Sequence, residues 1–367
     1  MNDLDQVRIM PLPGSEKLGE KLIEGINKEW HNAELVEYKY TRFNDGDGKI
    51  AVTSNIRDKK LFILVDPYNY GTTYMFRGTE RVTSPDEHIK NLDRAISATN
   101  GKEKQLHVIS PLLYQARQDR RNGLNESLDF AVNLNNIKRG TRKLESIIGV
   151  DVHNPAAFEN SLPNIDCINA YPAVPLLRKV IEKIPNKVDN ILVIGPDAGA
   201  ANRARIFADL LGHSPCAHFQ KRRDFSKVDT ILEHSYSGDS NEVIGKHVII
   251  PDDLIASWST MIKSAKRSKE MGAESVSLIA SHATFTSGVE AFDEAFNNGY
   301  FDNLYTTNLS YVPKDIKNRK RYVEVDCSDM LADIIKCLCL WYSITQNTKN
   351  AEKGLLEQVL LLKNKAN

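Results

Sequence analysis

The chain carries no surplus charge of either sign: Lys plus Arg and Asp plus Glu number 48 each in 367 residues. A global basic field able to draw in nucleic acid is therefore absent, and any anion site must be a local cluster. Cysteine is scarce. The five present (Cys167, Cys216, Cys327, Cys337 and Cys339) are odd in number and form no CxxC pair, which argues against a disulfide scaffold or a zinc site. Cys337 and Cys339 fall on an apolar, helix-like stretch, where free thiols behave as small hydrophobes. No apolar run approaches a membrane span, and the opening MNDLDQVRIMPLPGSEKLGE lacks a charged-then-apolar signal region. These absences predict a protein of the reducing cytoplasm with neither a membrane nor a nucleic-acid partner.

What is present suits two globular domains: 41% hydrophobic and 26% charged residues over a length beyond one ordinary domain. Short β-branched runs alternate with helix-like stretches, the pattern of an α/β fold with mostly parallel sheets. The clearest strands are LFILV at Leu61–Val65, HVISPLL from His107, SIIGVDV from Ser146, ILVI at Ile191–Ile194, HVII from His247 and SVSLIA from Ser275. Each is continuous rather than alternating, as expected when both faces are covered. Several pass straight into a helix through a small or acidic residue, and ligands bind at such carboxyl ends. The stretch after His153 carries four prolines and little periodicity, which predicts a crossing between two α/β halves. Near the end, GLLEQVLLLK reads as an amphipathic patch that packs on the body or on a neighbouring subunit, being short and weakly basic.

Five constellations can carry chemistry, and each has a plainer local reading. RQDRR at Arg117–Arg121 could grip a polyphosphate bidentately, or be a solvated basic turn. Asp151 and His153 end the SIIGVDV strand, where alternation puts both on one side. His153 could ligate a metal or transfer protons, or be a satisfied structural histidine. Gly195-Pro196-Asp197-Ala198-Gly199 opens a helix, and Asp197 could reach a divalent cation or a sugar hydroxyl or simply cap that helix. Lys221-Arg222-Arg223 precede a long polar loop, so they suit a lid closing on developing phosphoryl charge, or form a surface patch. Asp252-Asp253 end the HVII strand and suit ribose hydroxyls or Mg²⁺, with the following turn offering amides to a phosphate. They would equally be an acidic helix start.

Taken in order, these segments resemble ribose-phosphate diphosphokinase, the phosphoribosyl-pyrophosphate (PRPP) synthetase family, over roughly Ser15 to Ser343. The likeness is carried by FNDGD at Phe43–Asp47, RQDR at Arg117–Arg120, VDVH at Val150–His153, GPDAGAANRA at Gly195–Ala204 and KRR at Lys221–Arg223, with PDDLIASWST at Pro251–Thr260, SHATFTSG at Ser281–Gly288 and TTN at Thr306–Asn308 in further matching places. The resemblance implies two type I phosphoribosyltransferase-like domains, each a mostly parallel sheet flanked by helices, over residues 1–160 and 161–329, with 330–367 packing back on the first. It implies Mg²⁺-dependent transfer of the β,γ-diphosphoryl group of ATP to the 1-hydroxyl of ribose 5-phosphate in a homo-oligomer, dimer or hexamer. Phe43, Asp45, Asp47, Arg117, Gln118 and Arg120 become ATP contacts, Phe43 stacking on adenine across a subunit boundary. His153 and Asp197 become metal ligands, Lys221 and Arg223 the transition-state cations. Asp252 and Asp253, with Ser257, Trp258, Ser259 and Thr260, become the ribose-phosphate site.

One segment departs from the family pattern, which runs Asp-Asp, two apolar residues, Asp-Thr, two small or glycine residues and Thr. Here Ala256 replaces the second acid, and Trp258 and Ser259 occupy the glycine positions. FNDGD also ends in Asp where the family usually has Glu. Three readings follow: ribose 5-phosphate bound through hydroxyls in place of some amides; a larger acceptor such as ADP-ribose, with Trp258 stacked on its base; or a silent regulatory paralogue. Retention of His153, Asp197, Lys221 and Arg223 weighs against silence. A phosphoribosyltransferase, sharing the fold and the Asp-Asp loop, would have no use for RQDR or the KRR lid.

Overall fold

The computed structural model describes residues 7–366 apart from 31, 122, 224–230, 287 and 341, and leaves out the side chains of 30, 185–187, 221–223, 231–234, 365 and 366. The chain divides into two compact units. The first comprises Met1–Tyr171, Asn308–Tyr311 and Asp326–Ile344; the second comprises Pro172–Thr307, Val312–Val325 and Thr345–Asn367.

In the first unit the strands are β1 (Val7–Pro11), β2 (Glu34–Leu35), β3 (Tyr38–Arg42), β4 (Gly48–Val52), β5 (Lys60–Leu64), β6 (Thr73–Phe76), β7 (Thr79–Val82), β8 (Gln105–Ile109), β9 (Leu144–Val150) and β10 (Asp166–Ala170). Between them run α1 (Glu16–Trp30), α2 (Pro85–Thr99), α3 (Asp129–Gly140) and α4 (Pro155–Ser161). The main sheet has the order β10-β9-β8-β5-β1-β2 and is parallel throughout. Its central strand β5 is buried at every position, which is why the sequence there is apolar without alternation. Two hairpins, β3–β4 and β6–β7, stand apart from it as two-stranded sheets.

The second unit carries β11 (Ile191–Gly195), β12 (Cys216–Arg223), β13 (Ile231–Tyr236), β14 (His247–Ile255), β15 (Ser275–Ala283), β16 (Asn303–Thr307) and β17 (Tyr322–Val325). Its helices are α5 (Ala173–Lys183), α6 (Ala201–Leu210), α7 (Ser259–Glu270), α8 (Glu290–Asn297) and α9 (Lys314–Lys317). The sheet order is β13-β12-β11-β14-β15-β16-β17, parallel except for the antiparallel β12–β13 pair. The chain order therefore reverses between β1 and β5 in one sheet and between β11 and β14 in the other. Crevices for ligands form outside the strand ends at such reversals.

The division differs in two places from the expected one. The boundary falls at Tyr171/Pro172 rather than at 160/161, because β10 pairs with β9 and completes the first sheet. The C-terminal segment also splits. Helix α10 (Ser328–Leu340) belongs to the first unit: Lys28 pairs with Asp329 at 2.8 Å, and the buried Lys60 Nζ donates to the Cys339 carbonyl at 2.9 Å. Helix α11 (Ile344–Ala366) groups from Thr345 onward with the second unit, burying Leu355 and Val359 while Leu360 and Leu361 stay exposed. Cys337 and Cys339 are buried thiols on α10. Among the described residues, no helix is long and apolar enough to cross a membrane.

Candidate active site

In the second unit, the reversal between β11 and β14 gathers several of the singled-out residues. Asp197 follows β11 and caps the turn that leads into α6, its Oδ1 accepting from the Ala200 N–H at 3.1 Å. On α6, Arg203 points its guanidinium at both acids of β14, 3.7 Å from Asp252 and 3.9 Å from Asp253. Asp252 Oδ1 also accepts the Asp253 N–H at 3.0 Å, and Asp253 Oδ1 the Leu254 N–H at 2.9 Å. Burial, and then the neighbouring Asp253 charge, push the Asp252 carboxyl well above the usual range, against the pull of Arg203.

Beyond the acids the chain turns through Ala256, Ser257 and Trp258 into α7. The residue before the helix is Trp258, in the left-handed region at φ 66°, and it supplies no side-chain cap. The first-turn amides of this 12-residue helix are thus not covered by an N-cap side chain, the arrangement that receives anions at helix starts. Ser257 and Ser259 are exposed with their hydroxyls 3.5 Å apart, and Thr260 is half-buried. The Ala256 carbonyl accepts both the N–H and the hydroxyl of Thr286, at 3.1 and 3.0 Å.

Trp258 corrects one expectation. Its ring does not face a ligand: it is 2% exposed and packs on Phe285 and Phe292, with centroids 5.1 and 5.3 Å away. A ring this apolar gains more from the core than from water, so the left-handed backbone turns it inward. Its indole Nε1 is buried without a hydrogen-bond partner among the described residues.

In the first unit, Arg117, Gln118 and Arg120 are exposed on the turn after β8. That turn is held from two sides. The Tyr68 hydroxyl accepts the Gln115 N–H at 3.1 Å, and Asp119 accepts from Asn154, whose own Oδ1 caps α4. RQDR and the residue after His153 are thereby joined at one end of the sheet. The expected alternation at the end of β9 fails, however. The strand stops at Val150 and Asp151 takes φ 48°, so Asp151 is 5% exposed and inward while His153 is exposed. Phe43, Asp45 and Asp47 lie on the exposed turn joining β3 to β4, Phe43 being 48% exposed.

Lys221 and Arg223 fall at the end of β12, in register with β13; their side chains and residues 224–230 lie outside the described residues. Part of the stretch the sequence assigned to a long polar loop is a strand, Ile231–Tyr236.

Two acidic or basic groups escaped the sequence reading. Arg203 lies inside GPDAGAANRA, where the sequence assigns a role to Asp197 alone. Asp66 lies just past β5 at the first sheet's reversal, and its buried carboxylate accepts the Tyr311 N–H at 2.7 Å and the Tyr68 N–H at 3.1 Å. Burial pushes it up to about 6. The reversal in strand order was the signal that would have singled it out.

The paired acids thus lie beside an uncapped helix start at the strand-order reversal of the second unit. Residues 7–139 match the family model described as the N-terminal domain of ribose phosphate pyrophosphokinase, and residues 173–291 match the phosphoribosyl transferase domain. A ribose-phosphate pyrophosphokinase of Pyrococcus abyssi is 30% identical over 210 residues, covering 57% of this chain and 68% of its own length. One from Prochlorococcus marinus is 24% identical over 306 residues, 83% of this chain and 82% of the relative. The fold is that of the crystal structure of phosphoribosylpyrophosphate synthetase from Mycobacterium smegmatis, with TM-score 0.74 at 18% identity over 91% of this chain and 98% of that one. The chain belongs to the ribose-phosphate pyrophosphokinase family, and is by that membership an enzyme of the transferase class.

Proposed function

We propose that the protein transfers the β,γ-diphosphoryl group of ATP to the anomeric 1-hydroxyl of ribose 5-phosphate, giving PRPP and AMP. The observation that carries this reading is the acceptor half in the second unit: twin aspartates bracketed by Arg203, followed at once by the uncapped start of α7. Carboxylates accept hydrogen bonds from vicinal ribose hydroxyls, and a helix start with Ser257, Ser259 and Thr260 around it receives the 5-phosphate. In the first unit, exposed Arg117, Gln118 and Arg120 would grip ATP's phosphates, with Phe43, Asp45 and Asp47 at its base and sugar.

A metal travelling with ATP needs few protein ligands, since phosphate oxygens supply much of its shell. Each proposed ligand has the chemistry for it within its own unit: Asp197 in the second offers a partly exposed carboxylate and His153 in the first an exposed imidazole. Mg²⁺ bound with ATP would neutralise phosphate charge. Lys221 and Arg223 would stabilise charge developing on the transferred group, each worth about a hundredfold or more in rate. Alignment and charge are most of what phosphoryl-transfer chemistry asks of a protein.

The larger acceptor, ADP-ribose, rested on a ligand-facing Trp258. With that ring in the core, ribose 5-phosphate is the favoured acceptor. The test is purified protein with Mg-ATP, given ribose 5-phosphate or ADP-ribose in separate reactions while AMP and the sugar product are followed. AMP formed with ribose 5-phosphate supports the proposal. AMP formed only with ADP-ribose, or with neither, removes it. Lys221→Ala should abolish turnover and leave ATP affinity close to wild type; a variant as fast as wild type would take the cation out of the mechanism.

A further inference from the structure

The β6–β7 hairpin has no place in either main sheet, and a lone two-stranded hairpin is marginal in water. Its own turn is well made: Phe76 pairs with Thr79 across Arg77 and Gly78, both at positive φ (49° and 80°), the two-residue form that matches strand twist. What it packs against is the turn at Phe43–Asp47. The Arg77 N–H donates to the Asn44 carbonyl at 2.9 Å. Phe76 lies close enough to Gly46 that a Cβ there would sit 3.1 Å from the ring, and Gly46 itself is at φ 97°. The Arg81 guanidinium lies over the Phe76 ring, 4.3 Å from its centroid.

The base of the turn is held by the same hairpin. Arg42, immediately before Phe43, stacks on Tyr74 at 3.9 Å and pairs with Glu87, to which the Tyr74 hydroxyl donates at 2.6 Å. Glu87 is also the capping-box acid of α2, bonded to the Ser84 N–H at 2.9 Å. Turn, hairpin and helix start therefore form one chain of contacts around a segment whose own side chains face solvent.

We propose that the β6–β7 hairpin is a positioning element for the 43–47 turn, with Phe76 and the Arg42–Tyr74–Glu87 cluster fixing where Phe43, Asp45 and Asp47 project and so setting affinity for the nucleotide. The inference rests on the reading that this turn contacts ATP. None of the bracing residues needs to touch the ligand. An error of an ångström in the turn is enough to weaken binding, because each contact is lost with its geometry.

The experiment compares Phe76→Ala, Phe76→Leu, Phe76→Tyr and Phe43→Ala in the full-length protein. ATP binding is read by calorimetry without acceptor, and KM for each substrate and kcat by AMP release. Phe76→Ala should weaken ATP binding about tenfold, with kcat and KM for ribose 5-phosphate unchanged. Leucine should recover part of the loss and tyrosine nearly all of it, and adding Phe43→Ala to Phe76→Ala should cost less than the two effects combined. If Phe43→Ala weakens ATP binding but both Phe76→Ala and Phe76→Leu bind like wild type, the positioning role is wrong while the reading of the turn stands. If Phe43→Ala itself binds ATP like wild type, that reading fails and the inference goes with it. Equal losses for both substrates in Phe76→Ala, unrescued by tyrosine, would mark a general structural role and overturn it too.

Discussion

Two segments proposed to bind the substrates, the turn at 43–47 and the loop at 252–260, are positioned by opposite means. The turn is exposed, and its geometry is imposed from outside by Phe76, Arg77 and the Arg42–Tyr74–Glu87 cluster. The loop is fixed from inside, by one buried ring at a left-handed backbone position. The rings of the outside brace are half-exposed and add little to stability while setting geometry, although the Arg42 side chain of its pair with Glu87 is recessed. An inside anchor contributes to both at once, so a change there cannot separate folding from binding. Substitutions should expose that difference directly.

The largest effect belongs to the inner anchor. Removing a buried Trp costs about 3–5 kcal/mol, and Trp258→Ala should fall near the low end because the lost indole N–H had no partner among the described residues. Trp258→Gly should recover about 1 kcal/mol of that, since glycine accepts the φ of 66° without a Cβ clash. Chemical denaturation of the three proteins checks the order wild type, glycine, alanine. An alanine variant as stable as the glycine one would mean the left-handed turn is unstrained.

Arg203 comes next. Its guanidinium faces both acids, and truncating one partner of a recessed charge cluster costs about 2–5 kcal/mol. Arg203→Ala should lower kcat/KM for ribose 5-phosphate about a hundredfold or more. The pH sign follows from Asp252, whose carboxyl already lies well above its ordinary range. A proton there replaces an acceptor by a donor, so sugar binding weakens as pH falls through that raised value. Without Arg203 the value rises further, and the acid limb of the profile moves to higher pH. Fold stability runs the other way. The protonated form is the one the fold prefers, so this contribution is full at low pH and is lost as pH rises through the raised value. An unshifted acid limb in Arg203→Ala would show that the guanidinium does not govern the pair.

How far the sequence revealed this contrast depended on burial. The strands at Leu61, His107, Ser146, Ile191, His247 and Ser275 were legible because both faces are covered and their apolar runs are unbroken. The hairpins were not, since half-exposed strands such as TYMF alternate weakly and the Arg77-Gly78 turn lacks the usual Asn or Asp signal. Motif order singled out Asp197, Asp252 and Asp253 as candidates but gave no role to Arg203, which faces the two acids of β14, because partners four dozen residues apart leave no local pattern. Trp258 was misread for a related reason. Its type and position were plain, but which way a residue points depends on the backbone dihedral, and a positive φ at a tryptophan is not what sequence rules anticipate.

The smallest effect on stability, and the sharpest test of the outer turn, belongs to Phe43. With 48% of the residue exposed, Phe43→Ala should change stability by no more than about 0.5 kcal/mol while raising KM for ATP about tenfold, the loss of one stacking contact. If the turn serves a neighbouring subunit, the change can be complemented. Mixing Phe43→Ala with Lys221→Ala, under conditions that exchange subunits, builds hybrids in which one site takes its intact lysine from the first variant and its intact phenylalanine from the second. In a dimer with random exchange about a quarter of the sites would be whole, so activity measured below KM for ATP should rise well above that of either variant alone. A mixture no more active than the sum of its parts would put Phe43 and Lys221 of the same chain in one site, or Phe43 in none. The stability of Phe43→Ala then separates those two cases from a folding defect, because a turn braced from outside keeps its shape when the ring at its tip is gone.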